Sequence, residues 1–148
     1  MSAVQLATWI REGRPRLRVL DLRSAPEFHA FHIPGAEHVA LEALATAGFA
    51  DDETLVLYSE TGVHAAQAWV FLRALGHRHV VFLRRGLHEW LDDVMSPTLA
   101  VDAPPEAEAA FARVAELSRW FGGTPRRITG HAAVTPGDAP IAVRRGGC

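Results

Sequence analysis

Asp21-Leu22-Arg23-Ser24-Ala25-Pro26-Glu27-Phe28-His29-Ala30-Phe31-His32-Ile33-Pro34-Gly35-Ala36 is the most informative stretch of the chain. It opens inside an apolar run, Leu17 to Leu22, that reads as a buried strand with Asp21 at its end. A short helix is predicted over Pro26–Phe31, and His32–Ala36 reads as a turn in which Pro34–Gly35 forces a tight reversal. Asp21 and Arg23 stand close enough to pair at the strand end, and Arg23 can also pair with Glu27.

Outward from this stretch, strand and helix signals alternate. Ala3–Glu12 is a short amphipathic helix broken by Gly13 and Pro15. Glu37–Leu41 reads as a small strand, and Leu55–Tyr58 and Val80–Leu83 as buried ones. Helices are predicted over His64–Leu75, ended by Gly76, and over Leu87–Val94, stopped by Pro97. Continuous apolar strands between helices argue for an α/β fold: a small parallel sheet of about five strands with helices on both faces. Residues 1–97 are expected to form this domain and 98–148 a C-terminal extension. In the extension, Val101–Pro105 reads as a linker, Glu106–Phe121 as a well-capped helix, and Thr124 onward as an irregular tail. Phe111, Val114, Leu117, Trp120 and Phe121 form a stripe at helical spacing that is expected to pack on the domain; left exposed, it would be a partner face.

Composition excludes several classes of function. A net charge of −2 over 148 residues gives no basic field for nucleic acid, and all fifteen Lys and Arg positions are Arg. No run is long enough for a membrane span and Met1–Glu12 does not read as a secretory signal, so a cytoplasmic location is expected. The single cysteine, Cys148, excludes an internal disulfide and a cysteine-based zinc cluster. His29 and His32 are three apart and His77 and His79 two apart, without the partners a metal site needs, so neither metal nor cofactor is expected.

Ligands of open α/β sheets bind beyond the carboxyl ends of the strands. Asp21–Arg23, Ser59–Val63 and Arg84–Gly86 all leave strand ends. Ser59-Glu60-Thr61-Gly62-Val63-His64 runs from a strand into a helix. Its successive amides and the helix dipole make it a candidate anion site, although a plain strand-to-helix turn has the same pattern.

The stretch Asp21–Ala36 resembles the first signature of the rhodanese (sulfurtransferase) family, with Asp21, Arg23, Glu27, His32, Pro34 and Gly35 at its defining positions. Arg84-Arg85-Gly86-Leu87-His88-Glu89-Trp90 resembles the family's late segment through Gly86 and Trp90, and Leu55–His64 aligns with its active-site strand and loop. The resemblance covers Ala3 to Val94 and implies a rhodanese-like fold of bacterial-type single-domain form. Most of these residues are expected to be scaffold, Trp90 packing over the sheet.

The resemblance also implies a cysteine at the first loop position, where this chain has Ser59. A thiol ionises near pKa 8.5. An alcohol lies closer to the ~15.7 of water. A gap of roughly five to seven pKa units is worth about 7–10 kcal/mol, and a helix N-terminus supplies at most ~2 kcal/mol. The loop therefore makes no useful alkoxide, and an oxygen carries no persulfide. A serine hydrolase would need a base touching Ser59, whereas His64 is expected to face the loop mouth or solvent. Two readings follow. One is a pseudoenzyme, a binding or regulatory module that takes a small sulfur-containing anion or a protein partner at Ser59–His64. The other is a noncanonical sulfurtransferase in which Cys148 carries the persulfide. Arg144 and Arg145 lie near Cys148, and the 23 residues after Pro125 span up to roughly 75 Å extended, ample to return to Ser59.

Overall fold

Leu17–Asp21 (β1) is apolar at three of its five positions, and its last three residues, Val19, Leu20 and Asp21, are buried. A computed structural model describes residues 1–129 of the chain. β1 pairs in parallel with Ala36–His38 (β2) on one side and Thr54–Tyr58 (β3) on the other, and β3 pairs with Val80–Phe82 (β4). The sheet order is β2-β1-β3-β4. Successive residues of β1 and β3 point to opposite faces. Val19, Val56 and Tyr58 meet one apolar cluster, and Leu20, Leu55 and Leu57 the other.

The first cluster is closed by Ala3–Arg11 (α1) and Gly86–Trp90 (α4), the latter continuing through the π-helical turn Leu91–Met95. Trp90 is fully buried there, against the sheet as expected. The second is closed by Val63–Ala74 (α3) and the 3₁₀ segment Leu41–Thr46, through Ala65, Ala68, Leu72 and Leu44. α3 is apolar on its outer side as well: Val63, Val70, Phe71 and Leu75 are exposed. Ala25–Ala30 (α2) buries no residue of its own and rides on the β1–β2 connection.

The sheet has four strands, one fewer than expected. The chain after α4 does form a strand, Thr98–Ala100 (β5), but it pairs with Arg126–Ile128 (β6) in a separate two-stranded parallel sheet. Pro105–Trp120 (α5) is the crossover between them. The predicted linker is a turn locked into that unit: Val101 N–H donates to Ile128 C=O and Ala103 N–H to Ala100 C=O. Arg126–Ile128, expected to be irregular, is a strand because β5 offers it a ladder.

α5 docks on α1 through Leu117 and an Arg11–Glu116 ion pair. Phe121 packs edge-on against Trp90 at 4.9 Å between ring centroids. Leu117 and Phe121 of the stripe therefore pack on the domain, Phe111 and Val114 are half-buried, and Trp120 turns outward. The faces it shares with Ala115 and Ser118 are buried too.

Leu20 is completely buried between β2 and β3. Leu20→Ala is expected to cost about 2–5 kcal/mol of stability, whereas exposed Val70→Ala should stay within about 0.5 kcal/mol. Urea unfolding midpoints compare the two directly.

Candidate functional site

Three strand ends converge at one edge of the sheet. At the end of β1, Asp21 is fully buried and Arg23 nearly so. Arg23 Nη2 lies 2.7 Å from Asp21 Oδ2, and Arg23 Nε lies 3.0 Å from Asp21 Oδ1. The same Nη2 donates to Phe31 C=O at 2.6 Å, while Nη1 reaches Glu60 Oε2 at 3.3 Å. His38 Nε2 donates to Arg23 C=O at 2.8 Å. Burial alone would lower the Arg23 pKa, but the hydrogen bonds and charge of Asp21 outweigh it and raise it.

Glu27 does not join this network. Ser24 caps α2, and both its backbone N–H and its hydroxyl bond to the Glu27 carboxylate, which they hold below the usual range. The capping box spans four residues and is entirely local, so it forms in place of an Arg23–Glu27 pair. His32 stacks on Phe28 at 4.1 Å and bonds through Nδ1 to Phe28 C=O. Pro34–Gly35 makes the expected tight turn: Gly35 has φ +78° and Ala36 N–H donates to Ile33 C=O at 2.9 Å. The turn delivers Ile33 into the core, where its N–H meets the Tyr58 hydroxyl at 3.2 Å.

The loop Ser59–His64 links β3 to α3, and its path depends on two glycines. Gly62 has φ +92°, and a Cβ there would stand 2.3 Å from Arg84 C=O. Gly86 has φ +57°, and a Cβ there would stand 2.0 Å from Ser59 C=O. The close approach lets Leu87 N–H donate to Ser59 C=O at 2.9 Å. Backbone therefore packs on backbone, and only glycine fits at either place.

Ser59 is buried inside the loop. Its Oγ accepts from Gly62 N–H at 3.1 Å and Ala65 N–H at 3.3 Å. Among the described residues its hydroxyl hydrogen has no acceptor, and the amides of Thr61, Val63 and His64 have none either. These donors surround the positive end of α3. Glu60 extends over the mouth between Arg23 and His88, whose Nε2 is 3.1 Å from Glu60 Oε1. His64 is exposed and lines a cavity of about 360 Å³ together with Arg23, His38 and Glu42. Cys148 lies outside the described residues. Among the described residues no three His, Cys, Asp or Glu side chains converge as a metal site.

Sequence reasoning did not single out Tyr58, His38 or His88. Tyr58 reads as one more apolar strand residue, and the imidazoles find their partners across 15 and 28 positions of chain.

Residues 2–93, containing all three strand ends and the glycine-locked loop, match the rhodanese-like domain. The chain belongs to the rhodanese-like domain family. Among proteins similar to it, a thiosulfate sulfurtransferase of Pseudomonas aeruginosa is 31% identical over 90% of this chain and 64% of its own length. The probable adenylyltransferase/sulfurtransferase MoeZ of Mycobacterium tuberculosis is 31% identical over 58% of this chain and 23% of its own length. The chain thus spans under two thirds of these curated relatives. Human single-domain sulfurtransferase TSTD1 superposes with a TM-score of 0.54 at 27% identity, covering 62% of this chain and 93% of that one. The Alr3790 protein of Anabaena gives a TM-score of 0.57 at 27% identity, covering 61% and 74%. This rhodanese-like chain is therefore related to sulfurtransferases, and no helix among its described residues is long and apolar enough to cross a membrane.

Breaking a buried ion pair leaves a charge stranded, at a cost of about 3–5 kcal/mol. Asp21→Asn in this rhodanese-like domain is expected to lose that much in urea unfolding. Tyr58 is the single tyrosine. Burial, and then the neighbouring Asp21 carboxylate, raise its pKa from the ordinary 10.0. The folded state thus keeps a proton that the unfolded chain loses near pH 10, and stability should fall as pH rises above that value. Tyrosinate absorbance near 295 nm should remain low at pH 10–11 in the folded protein and appear together with unfolding.

Proposed function

We propose that this rhodanese-like domain is a binding module that holds a small sulfur-containing anion, or the anionic end of a partner protein, without forming a covalent sulfur intermediate. The observation that carries the reading is the position of Ser59 Oγ. It sits in the amide cradle of the loop, at the place where the family resemblance puts a cysteine sulfur, and it already accepts from Gly62 and Ala65.

Each group has a part in holding such an anion. The Ser59 hydroxyl still has its hydrogen to give, and a buried O–H without an acceptor is costly. The amides of Thr61, Val63 and His64 are aimed by the start of α3, so an anionic atom at the mouth would receive several N–H donors at once. Gly62 and Gly86 keep this arrangement rigid before any ligand arrives. Among the described residues no side chain accepts from the Ser59 hydroxyl, and both hydrogen bonds to Oγ are donated to it.

Intact mass tests the reading after incubation with a low-molecular-weight persulfide donor. The protein and its Cys148→Ser variant are expected to gain nothing, while Ser59→Cys should gain about 32 Da, one sulfur atom, removable by reductant. A reducible gain on the unmodified protein that Cys148→Ser abolishes would overturn the reading and make Cys148 the carrier.

A further inference from the structure

The loop has a feature that a simple anion cradle does not need, a carboxylate across its mouth. Glu60 is half-exposed and held from both sides, by Arg23 Nη1 at 3.3 Å and His88 Nε2 at 3.1 Å. A carboxylate oxygen only accepts, so Nε2 of His88 carries the hydrogen of that contact. Arg23 is already neutralised by Asp21 through three short contacts. Asp21 and Glu60 thus share one guanidinium, so two carboxylates stand against one arginine. Of the other arginines at this edge, Arg85 pairs with Asp92.

We propose that Glu60 sets the ligand class of the loop, admitting a singly charged anion and rejecting a doubly charged one. The inference rests on the anion-binding reading above and deepens it. A monoanion exchanges water for the Ser59 hydroxyl and the free amides, and meets only one opposing carboxylate. A dianion of the same shape receives the same donors and meets that carboxylate with twice the charge. Arg23 offers no relief, because turning its guanidinium toward a ligand would strand Asp21, which is wholly buried. Glu60 is therefore a specificity-determining residue that does no chemistry of its own.

Sulfate and methanesulfonate form a matched pair of probes, both tetrahedral and differing by one charge. Their titration into the full chain at constant ionic strength, read from the amide shifts of Thr61–Ala65, gives the ratio of the two dissociation constants. The unmodified protein is expected to favour methanesulfonate. Glu60→Gln should move the ratio about tenfold toward sulfate, and Glu60→Ala should move it in the same direction. His88→Gln, which keeps the carboxylate, should retain the preference for methanesulfonate. An unchanged ratio in both Glu60 variants, with loop amides still responding, would overturn the role of Glu60 and leave the anion loop standing. Failure of both probes to move the loop amides in any variant would overturn the anion loop itself, and this inference with it.

Discussion

The Asp21–Arg23 pair is the interaction on which the functional edge depends. Asp21 ends the central strand, and its buried charge has to be met from within the chain. Arg23 meets it two residues later, and the bend this requires sends the remaining guanidinium donors to Phe31 C=O and Glu60. The carbonyl of Arg23 receives His38 from β2. Tyr58, the last residue of β3, stands opposite Asp21 in the ladder and supports Ile33 through its hydroxyl. One pair therefore joins three segments that are far apart in sequence: the α2 connection, β2, and the strand that leads into the loop. A buried ion pair is a weak source of net stability. Its contribution here is positional, because the groups around it have one arrangement that leaves no charge unpaired.

The second constraint is steric. The Ser59 loop and the Arg84–Gly86 turn touch through their main chains, with left-handed glycines at Gly62 and Gly86 on the two sides of the contact. A side chain at either position would push the segments apart and turn the α4 amides away from Ser59 C=O. Rigidity at the loop is thus a property of backbone packing, independent of which atom occupies the first side-chain position. Serine can stand there without disturbing the frame.

The parallel sheet was legible because Leu55–Tyr58 and Val80–Leu83 are continuous apolar runs and the turns carry Pro34, Gly35, Gly76 and Gly86. The signature from Asp21 to Ala36 located the strand-end pair, the capping segment and the turn in the right order. One further local pattern was readable, and other features depend on information that local patterns do not hold. Ser24-x-x-Glu27 is itself a capping-box signature, and it identifies the partner Glu27 takes instead of Arg23. Arg126–Ile128 is a three-residue exposed strand with no alternation, and only the ladder of β5 reveals it. The placement of Glu60 between Arg23 and His88 is a meeting of three chain segments, and no spacing in the sequence encodes it.

The parallel arrangement of β1, β2, β3 and β4 also governs how the molecule assembles. No two of these strands can be joined by a hairpin, so each pairing waits for a crossover to be laid down, and closing such loops costs chain entropy before any ladder forms. The central pairing of β1 with β3 encloses α2, β2 and the 3₁₀ segment, and must find its register across all of them. Domains built this way fold more slowly than helical bundles of similar size. During that interval the outer side of α3, with Val70, Phe71 and Leu75, adds to the apolar surface open to other chains. Growth temperature and expression rate are therefore the conditions to which the yield of folded protein should be most sensitive.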